Sequence, residues 1–184
     1  MSIVRELVEA AKIVLFALGA AILYGILHDQ VTAHLCVEYF TIAHPPVFRT
    51  ESPFLLALGW GVIATWWVGL PLGILLALAA RLGPKRRLVL ADLRRPIVLL
   101  MCVSAGVALL AAMAGAVLVA TGRPLLGGWG HYIPVDRHVV FSAAAWAHLG
   151  SYATGGIGGL IVIGHTIFRR LRRSERPVSV ATAA

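Results

Sequence analysis

The sequence predicts an all-α membrane protein, a bundle of four transmembrane helices in up-down order. The 184-residue chain is 59% hydrophobic and only 13% charged, whereas soluble domains carry about 25% charged residues. Its apolar residues fall into four long runs, and a helix needs about 20 such residues to cross a bilayer. The net charge of +8 does not indicate nucleic acid, because the basic residues form short runs beside apolar segments. The bilayer is therefore the expected partner.

The first helix is predicted over about residues 4–30. Residues 13–27 carry no charge, but fifteen residues are short for a span, so the helix is expected to continue through His28 and Asp29. A signal peptide has an apolar core of similar length and is the competing interpretation. Acidic residues ahead of the run, and the lack of an A-x-A site before His28, count against it.

Three further helices follow from their boundaries. Ser52 and Pro53 are a suitable N-cap and first helical residue, which starts the second helix, 53–81. Pro96 opens the third, 96–121, and the fourth is predicted over about 138–169. Together these helices form a single transmembrane domain over 1–176, and residues 177–184 are expected to be a disordered tail.

Small residues on two helices predict close packing. Gly69 and Gly73 on the second helix are four residues apart, as are Gly155 and Gly159 on the fourth. Such small-xxx-small pairs let helix backbones approach closely in a membrane. These glycine-rich faces therefore predict tight packing within the bundle, or contact with a membrane partner or a second copy of the chain.

The basic residues predict the orientation. Of the 16 Lys and Arg residues, 13 lie in the N-terminal segment, the 81–95 loop and the C-terminal segment. Cytoplasmic segments carry such an excess, so both termini are expected in the cytoplasm (N-in/C-in). The predicted location is the bacterial inner (cytoplasmic) membrane, which the chain crosses several times.

Histidines concentrate on the opposite, periplasmic face, where six of the seven are expected. Imidazole and carboxylate groups together suit a divalent transition metal such as Zn, Fe or Cu. The residues predicted to bind it are Asp29, Glu38, His44 and His148, followed by His28 and His138. Tyr152, Thr32 and Thr41 are expected to support these ligands from nearby positions.

Helix geometry constrains which ligands can meet. At about 1.5 Å per residue, His28, Asp29 and His148 should lie at similar heights near the outer boundary. Asp29 and Glu38 are nine residues apart, which at about 100° per residue points them in opposite directions on a straight helix. Glu38 and His44 are therefore expected to reach the site only if the chain folds back after the first helix.

Three other interpretations remain open. In the first, the polar residues cap helices and face water. Haem is the alternative cofactor, because membrane cytochromes ligate it through histidines on facing helices. A non-catalytic membrane subunit or small transporter is the third. The sequence leaves open whether the protein is an enzyme; a metal-dependent membrane enzyme would use the ion to activate water or to bind a small molecule.

Several short motifs carry a family resemblance. They are Tyr24-Gly25, His28-Asp29-Gln30, Glu38-Tyr39-Phe40-Thr41 and His44-Pro45, followed by Asp136-Arg137-His138 and Trp146-Ala147-His148. In these the chain resembles a family of uncharacterised small bacterial four-helix inner-membrane proteins with an HDQ…EYFT..HP motif. The resemblance covers most of the chain. It implies placement in the inner membrane and does not imply a reaction.

Overall fold

The computed structural model describes residues 3–84 and 86–174. Their regular secondary structure is helical, with no strand. The elements are α1 (Ile3–Leu35), α2 (Glu38–Thr41), α3 (Pro53–Arg81), α4 (Leu90–Ala120) and α5 (His138–Ser174), with short 3-10 turns between α4 and α5. Four helices are long and apolar enough to cross a membrane. The predicted all-α, four-helix fold is confirmed, and the predicted tail lies outside the described residues.

Three predicted helix boundaries differ from the structure, and one of them is the end of the fourth helix, which is predicted near residue 169 but lies at Ser174 in α5. The first helix was expected to end near residue 30, but α1 continues to Leu35, so Asp29 lies inside it. The third was expected to open at Pro96, but α4 begins at Leu90. A proline within a helix leaves the carbonyl four residues earlier without its donor. Here that carbonyl belongs to Asp92, and Arg169 Nη1 donates to it over 3.3 Å.

The bundle consists of two closely packed helix pairs, α1 with α3 and α4 with α5. In the first pair, Gly25 meets Gly61 so closely that a Cβ on Gly25 would lie 2.6 Å from the Gly61 carbonyl oxygen. In the second, a Cβ on Gly115 would lie 2.8 Å from the Ser142 carbonyl oxygen. Contact between the pairs is looser, which leaves space along the bundle axis.

The glycine faces predicted to serve a partner pack largely inside the chain. Cβ atoms on Gly69 and Gly73 would lie 2.7 Å and 3.2 Å from alanine side chains of α1. A Cβ on Gly159 would lie 2.7 Å from Leu72 of α3, and Gly155 lines an internal cavity. Gly69, Gly73 and Gly159 are therefore needed for packing within the bundle, because a side chain at these positions would press against the neighbouring helix. Packing within the bundle is thus observed for these three glycines, and contact with a partner or a second copy stays a prediction.

Charged contacts close one end of the bundle, which we call the arginine end. The Arg81 guanidinium donates to Glu6 and to the Leu88 carbonyl, 2.8 Å away. Arg170 is 7% exposed and donates to the carbonyls of Ala79, Leu82 and Arg86. The opposite end, where α1 ends and α5 begins, is called the histidine end.

Candidate metal site

His28, Asp29 and His148 meet at the histidine end of the bundle. Their potential ligand atoms all lie within 4.8 Å of one another, and no other His, Cys, Asp or Glu residues form such a group within residues 3–84 and 86–174. Asp29 follows Ala17, Ala21 and Gly25 at four-residue spacing, so it continues the α1 face that packs inward. We call these three residues the His/Asp cluster. It joins α1 to α5, which otherwise touch little.

The hydrogen bonds of His148 fix which of its nitrogens carries a proton. Its Nδ1 lies 2.8 Å from the Ala144 carbonyl oxygen, which only accepts, so Nδ1 carries the hydrogen. In a neutral imidazole, Nε2 then holds a lone pair. That Nε2 lies 3.1 Å from Asp29 Oδ1, which is also an acceptor when ionised. An additional proton or a cation is therefore needed between these two atoms.

His28 has a nitrogen without a hydrogen-bond partner. Its ring meets the His148 ring edge-on, with centroids 4.5 Å apart. Its Nδ1 lies 3.5 Å from Ser151 Oγ, which is 2.7 Å from the Tyr24 hydroxyl. Its Nε2 is buried and has no hydrogen-bond partner. Buried polar atoms are nearly always satisfied, so this nitrogen is available to a hydrogen-bond donor or a metal ion.

The chain does fold back after α1, and it brings Tyr39 to the cluster. The Tyr39 ring stacks on the His148 ring at a centroid distance of 4.3 Å. Burial raises the pKa of Tyr39. His44 lies on the far side of Tyr39, with ring centroids 4.9 Å apart and its Nδ1 2.7 Å from the Tyr39 carbonyl oxygen. Burial lowers the pKa of His44, so it is a neutral packing residue one ring away from the cluster.

Glu38 is engaged elsewhere. Arg137 donates to both of its carboxylate oxygens, over 2.8 Å and 3.0 Å, and to the Leu35 carbonyl at the end of α1. Cys36 Sγ lies 3.3 Å from Glu38 Oε2. Burial raises the pKa of Cys36 to about 11, so it stays a thiol, whereas metals bind the thiolate. These contacts tie the end of α1 to the start of α5.

The remaining predicted residues also lie outside the cluster or support it indirectly. His138 Nε2 lies 2.9 Å from the Ile133 carbonyl oxygen, within the turn before α5. Thr41 donates to the Val37 carbonyl. Thr32 donates to the backbone carbonyls of His28 and Asp29, so it stabilises the helix turn rather than a ligand. Tyr152 lies beside the cluster and lines the same cavity.

A cavity of about 120 Å³ opens on the cluster and runs between the two helix pairs. Its walls are mostly apolar. The end at the His/Asp cluster is lined by His28, Asp29, His148, Ser151 and Tyr152. The end nearer the arginine end of the bundle is lined by Leu76 and Ile97. Sequence reasoning missed Ser151 and Tyr24, although Ser151 follows His148 by three residues and Tyr24 precedes His28 by four. Both spacings place residues on one helix face and would have identified them.

One separation within the cluster is compatible with two atoms that share a metal ion. Ligand atoms that each lie about 2.0–2.2 Å from an ion are about 2.8–3.6 Å apart at octahedral to tetrahedral angles. The separation of His148 Nε2 and Asp29 Oδ1, 3.1 Å, falls within that interval. Metal-binding histidines commonly donate their other ring N–H to a carbonyl, as His148 Nδ1–H does here. A potential ligand atom of His28 lies within 4.8 Å of those of Asp29 and His148.

The Glu38–Arg137 pair predicts a pH-dependent contribution to stability. Burial alone would raise the pKa of Glu38, but the hydrogen bonds from Arg137 lower it below its ordinary value of 4.5. The contribution is complete above about pH 4.5 and is lost as the pH falls through the lowered pKa of the folded protein. We expect Glu38→Gln to lower the free energy of unfolding by about 1 kcal/mol at pH 7, and by progressively less below pH 4.5.

Reversible unfolding in mixed micelles between pH 3 and pH 7 measures this difference. The control is Glu51→Gln, because Glu51 is exposed at the same end of the bundle and should change stability little at any pH. A Glu38→Gln difference that does not vary with pH would show that the carboxylate charge makes no contribution.

The fold and the cluster together define a class, a multi-pass helical membrane protein with a buried His/Asp group at one end. No family model, curated protein or solved structure matches the chain.

Proposed function

We propose that the protein binds one divalent transition metal ion, Zn²⁺ or Fe²⁺, through His28, Asp29 and His148. The observation that carries this proposal is the facing pair of acceptors, His148 Nε2 and Asp29 Oδ1, 3.1 Å apart. A cation satisfies both atoms at once, and it also satisfies the unpartnered Nε2 of His28. Two imidazoles and one carboxylate are the donor set of catalytic zinc sites and of non-haem Fe(II) sites.

Three protein ligands leave at least one coordination position for a molecule that the protein does not supply. In this site that position faces the cavity between the helix pairs. A metal ion so placed polarises an oxygen atom of a bound molecule or lowers the pKa of a bound water. We therefore propose that the site acts on, or senses, a small molecule held in the cavity.

The proposal places the protein in the bacterial inner membrane, with both termini in the cytoplasm and the cluster near the periplasmic face. The distribution of basic residues supports this orientation, and most of them surround the arginine end. The resemblance to small bacterial inner-membrane proteins, carried by motifs such as His28-Asp29-Gln30, supports the same location.

Haem is the alternative cofactor, and the geometry favours an ion over it. Axial histidines lie on opposite sides of a macrocycle, but the rings of His28 and His148 are in contact at 4.5 Å. The volume of the cavity, about 120 Å³, is also smaller than the roughly 300 Å³ of the smallest pockets that hold drug-sized ligands, and haem is at least as large. A non-catalytic subunit or small transporter remains an alternative that an empty site would favour.

Elemental analysis of the purified full chain, with its absorption spectrum, tests the proposal. The expected result is one equivalent of Zn or Fe per chain after dialysis against a weak chelator, with no Soret band. A Soret band would favour haem. No bound metal, even after incubation with Zn²⁺ or Fe²⁺, would mean that a shared proton satisfies His148 and Asp29.

A further inference from the structure

A second unsatisfied polar group lies in the wall of the same cavity. Ser104, on α4, is 1% exposed, and its hydroxyl oxygen has no hydrogen-bond partner. A serine or threonine within a helix usually bonds to the carbonyl four residues earlier when it has no better partner. Ser104 faces the cavity instead, among otherwise apolar neighbours such as Leu100 and Met101.

Other helical hydroxyls of the bundle show what the ordinary arrangement is. Thr65, Thr154 and Thr166 each donate to the carbonyl four residues earlier, over 2.6 Å to 2.8 Å. Ser142, also buried, donates to the Gly115 carbonyl over 2.9 Å. The free hydroxyl of Ser104 is therefore an exception that calls for a partner.

Helix register places Ser104 on the arginine-end side of the His/Asp cluster. Gly150 packs beside Val107 and Ala111, and Gly158 packs beside Leu100. Ser104 therefore lies about level with residue 154, six residues beyond His148 along α5, or about 9 Å at 1.5 Å per residue. The cluster and the hydroxyl are thus two separate polar points along one apolar cavity.

The cavity is also close to the outer surface of the bundle. Tyr24 and His28 line both the cavity and an apolar groove of about 360 Å³ between α1, α4 and α5. Six alanines line that groove and keep it open, namely Ala105, Ala108, Ala112, Ala143, Ala144 and Ala147. Exposed Leu27 and Leu109 mark its lipid-facing rim. The groove and the cavity thus share two lining side chains, Tyr24 and His28, and the groove brings the cavity close to the lipid.

We propose that the cavity binds a small, uncharged, membrane-soluble alcohol or carbonyl compound that hydrogen-bonds to Ser104. A cavity of about 150 Å³ accommodates benzene, so about 120 Å³ suits a molecule of about six heavy atoms. The apolar walls exclude a charged molecule. The inference deepens the proposed function, on which it rests for the claim that the bound molecule reaches the metal ion, because the cavity opens on the cluster.

Photolabelling of the full chain in lipid nanodiscs with a diazirine-bearing butanol tests the inference. We expect saturable labelling of residues that line the cavity, such as Met101 and Tyr152. Ser104→Ala keeps the volume and removes the hydroxyl, so half-saturation should shift to about three- to tenfold higher concentration. Gly155→Leu should abolish the labelling, because a side chain there would project into the open cavity.

Gly164→Leu is the matched control, on the same helix. A Cβ on Gly155 or on Gly164 meets no atom within 4 Å, but Gly164 is exposed on the outside of the bundle, so labelling should not change. Equal labelling of wild type, Ser104→Ala and Gly155→Leu, or labelling spread over lipid-facing residues, would overturn the inference. Metal content is measured on the same samples. Bound metal without cavity labelling refutes this inference alone, and cavity labelling without metal refutes only the proposed metal site.

Discussion

Replacing His148 or Asp29 with alanine is expected to lower the affinity for Zn²⁺ by about a hundredfold or more. Removal of outer-shell partners alone costs 10- to 100-fold in metal sites, and these two residues would be direct ligands. Both are buried, with side chains 9% and 6% exposed. Competition titration with a chromophoric chelator measures the affinity.

His34→Ala is the matched control for this experiment. His34 lies on α1 near His28, and its Nδ1 lies 2.7 Å from the Gln30 carbonyl oxygen, four residues earlier. The local geometry is that of His148, but His34 is exposed and belongs to no cluster. We expect the His34→Ala variant to bind Zn²⁺ with the same affinity as the wild type. Equal losses in His34→Ala and His148→Ala would indicate adventitious surface binding.

The second large effect concerns stability without metal. In protein stripped by a chelator, Asp29→Ala is expected to lower the free energy of unfolding by about 3–5 kcal/mol. The reason is that His148 Nε2 would lose its partner inside the bundle, where an unpaired polar group is costly. His148→Ala should have a comparable effect, and the double variant should lose less than the sum of the two. Reversible unfolding in mixed micelles measures the free energy of unfolding of the wild type, of the two single variants and of the double variant.

The control is Glu51→Ala, which removes an exposed carboxylate from the same end of the chain and should change stability by no more than about 0.5 kcal/mol. Additive losses in the double variant would contradict the pairing, since residues that do not interact contribute independently. A more stable Asp29→Ala variant would show that the carboxylate is retained only for binding.

The fold could be predicted because the bilayer imposes it. A span must be long, apolar and helical, so the uncharged runs located all four helices. At two of the helix ends, a contact between helices satisfies a polar group inside the helix. The predicted end of the first helix near residue 30 precedes the observed end at Leu35, so Asp29 lies inside α1, where His148 pairs with it. Pro96 was placed at a helix start, yet Arg169 satisfies the Asp92 carbonyl that Pro96 leaves without a donor.

The candidate site was predictable only where helix register determines it. Equal heights on two helices brought His28, Asp29 and His148 to one place. Glu38 and His44 belong to a connecting segment, and no periodicity reports how such a segment folds. Glu38 meets Arg137, which is 99 residues away in sequence. The unsatisfied hydroxyl of Ser104 could not be found from sequence either, because it depends on the packing of all four helices.

X-ray absorption at the metal edge of the full chain, reconstituted with one equivalent of Zn²⁺, tests the metal site most directly. The expected spectrum shows nitrogen or oxygen ligands at about 2.0–2.2 Å and the multiple-scattering signature of two imidazoles. Asp29→Ala and His148→Ala should lose that spectrum, and His34→Ala should retain it. A sulfur ligand at about 2.3 Å, or a shell of oxygens without imidazole scattering, would contradict a site formed by His28, Asp29 and His148.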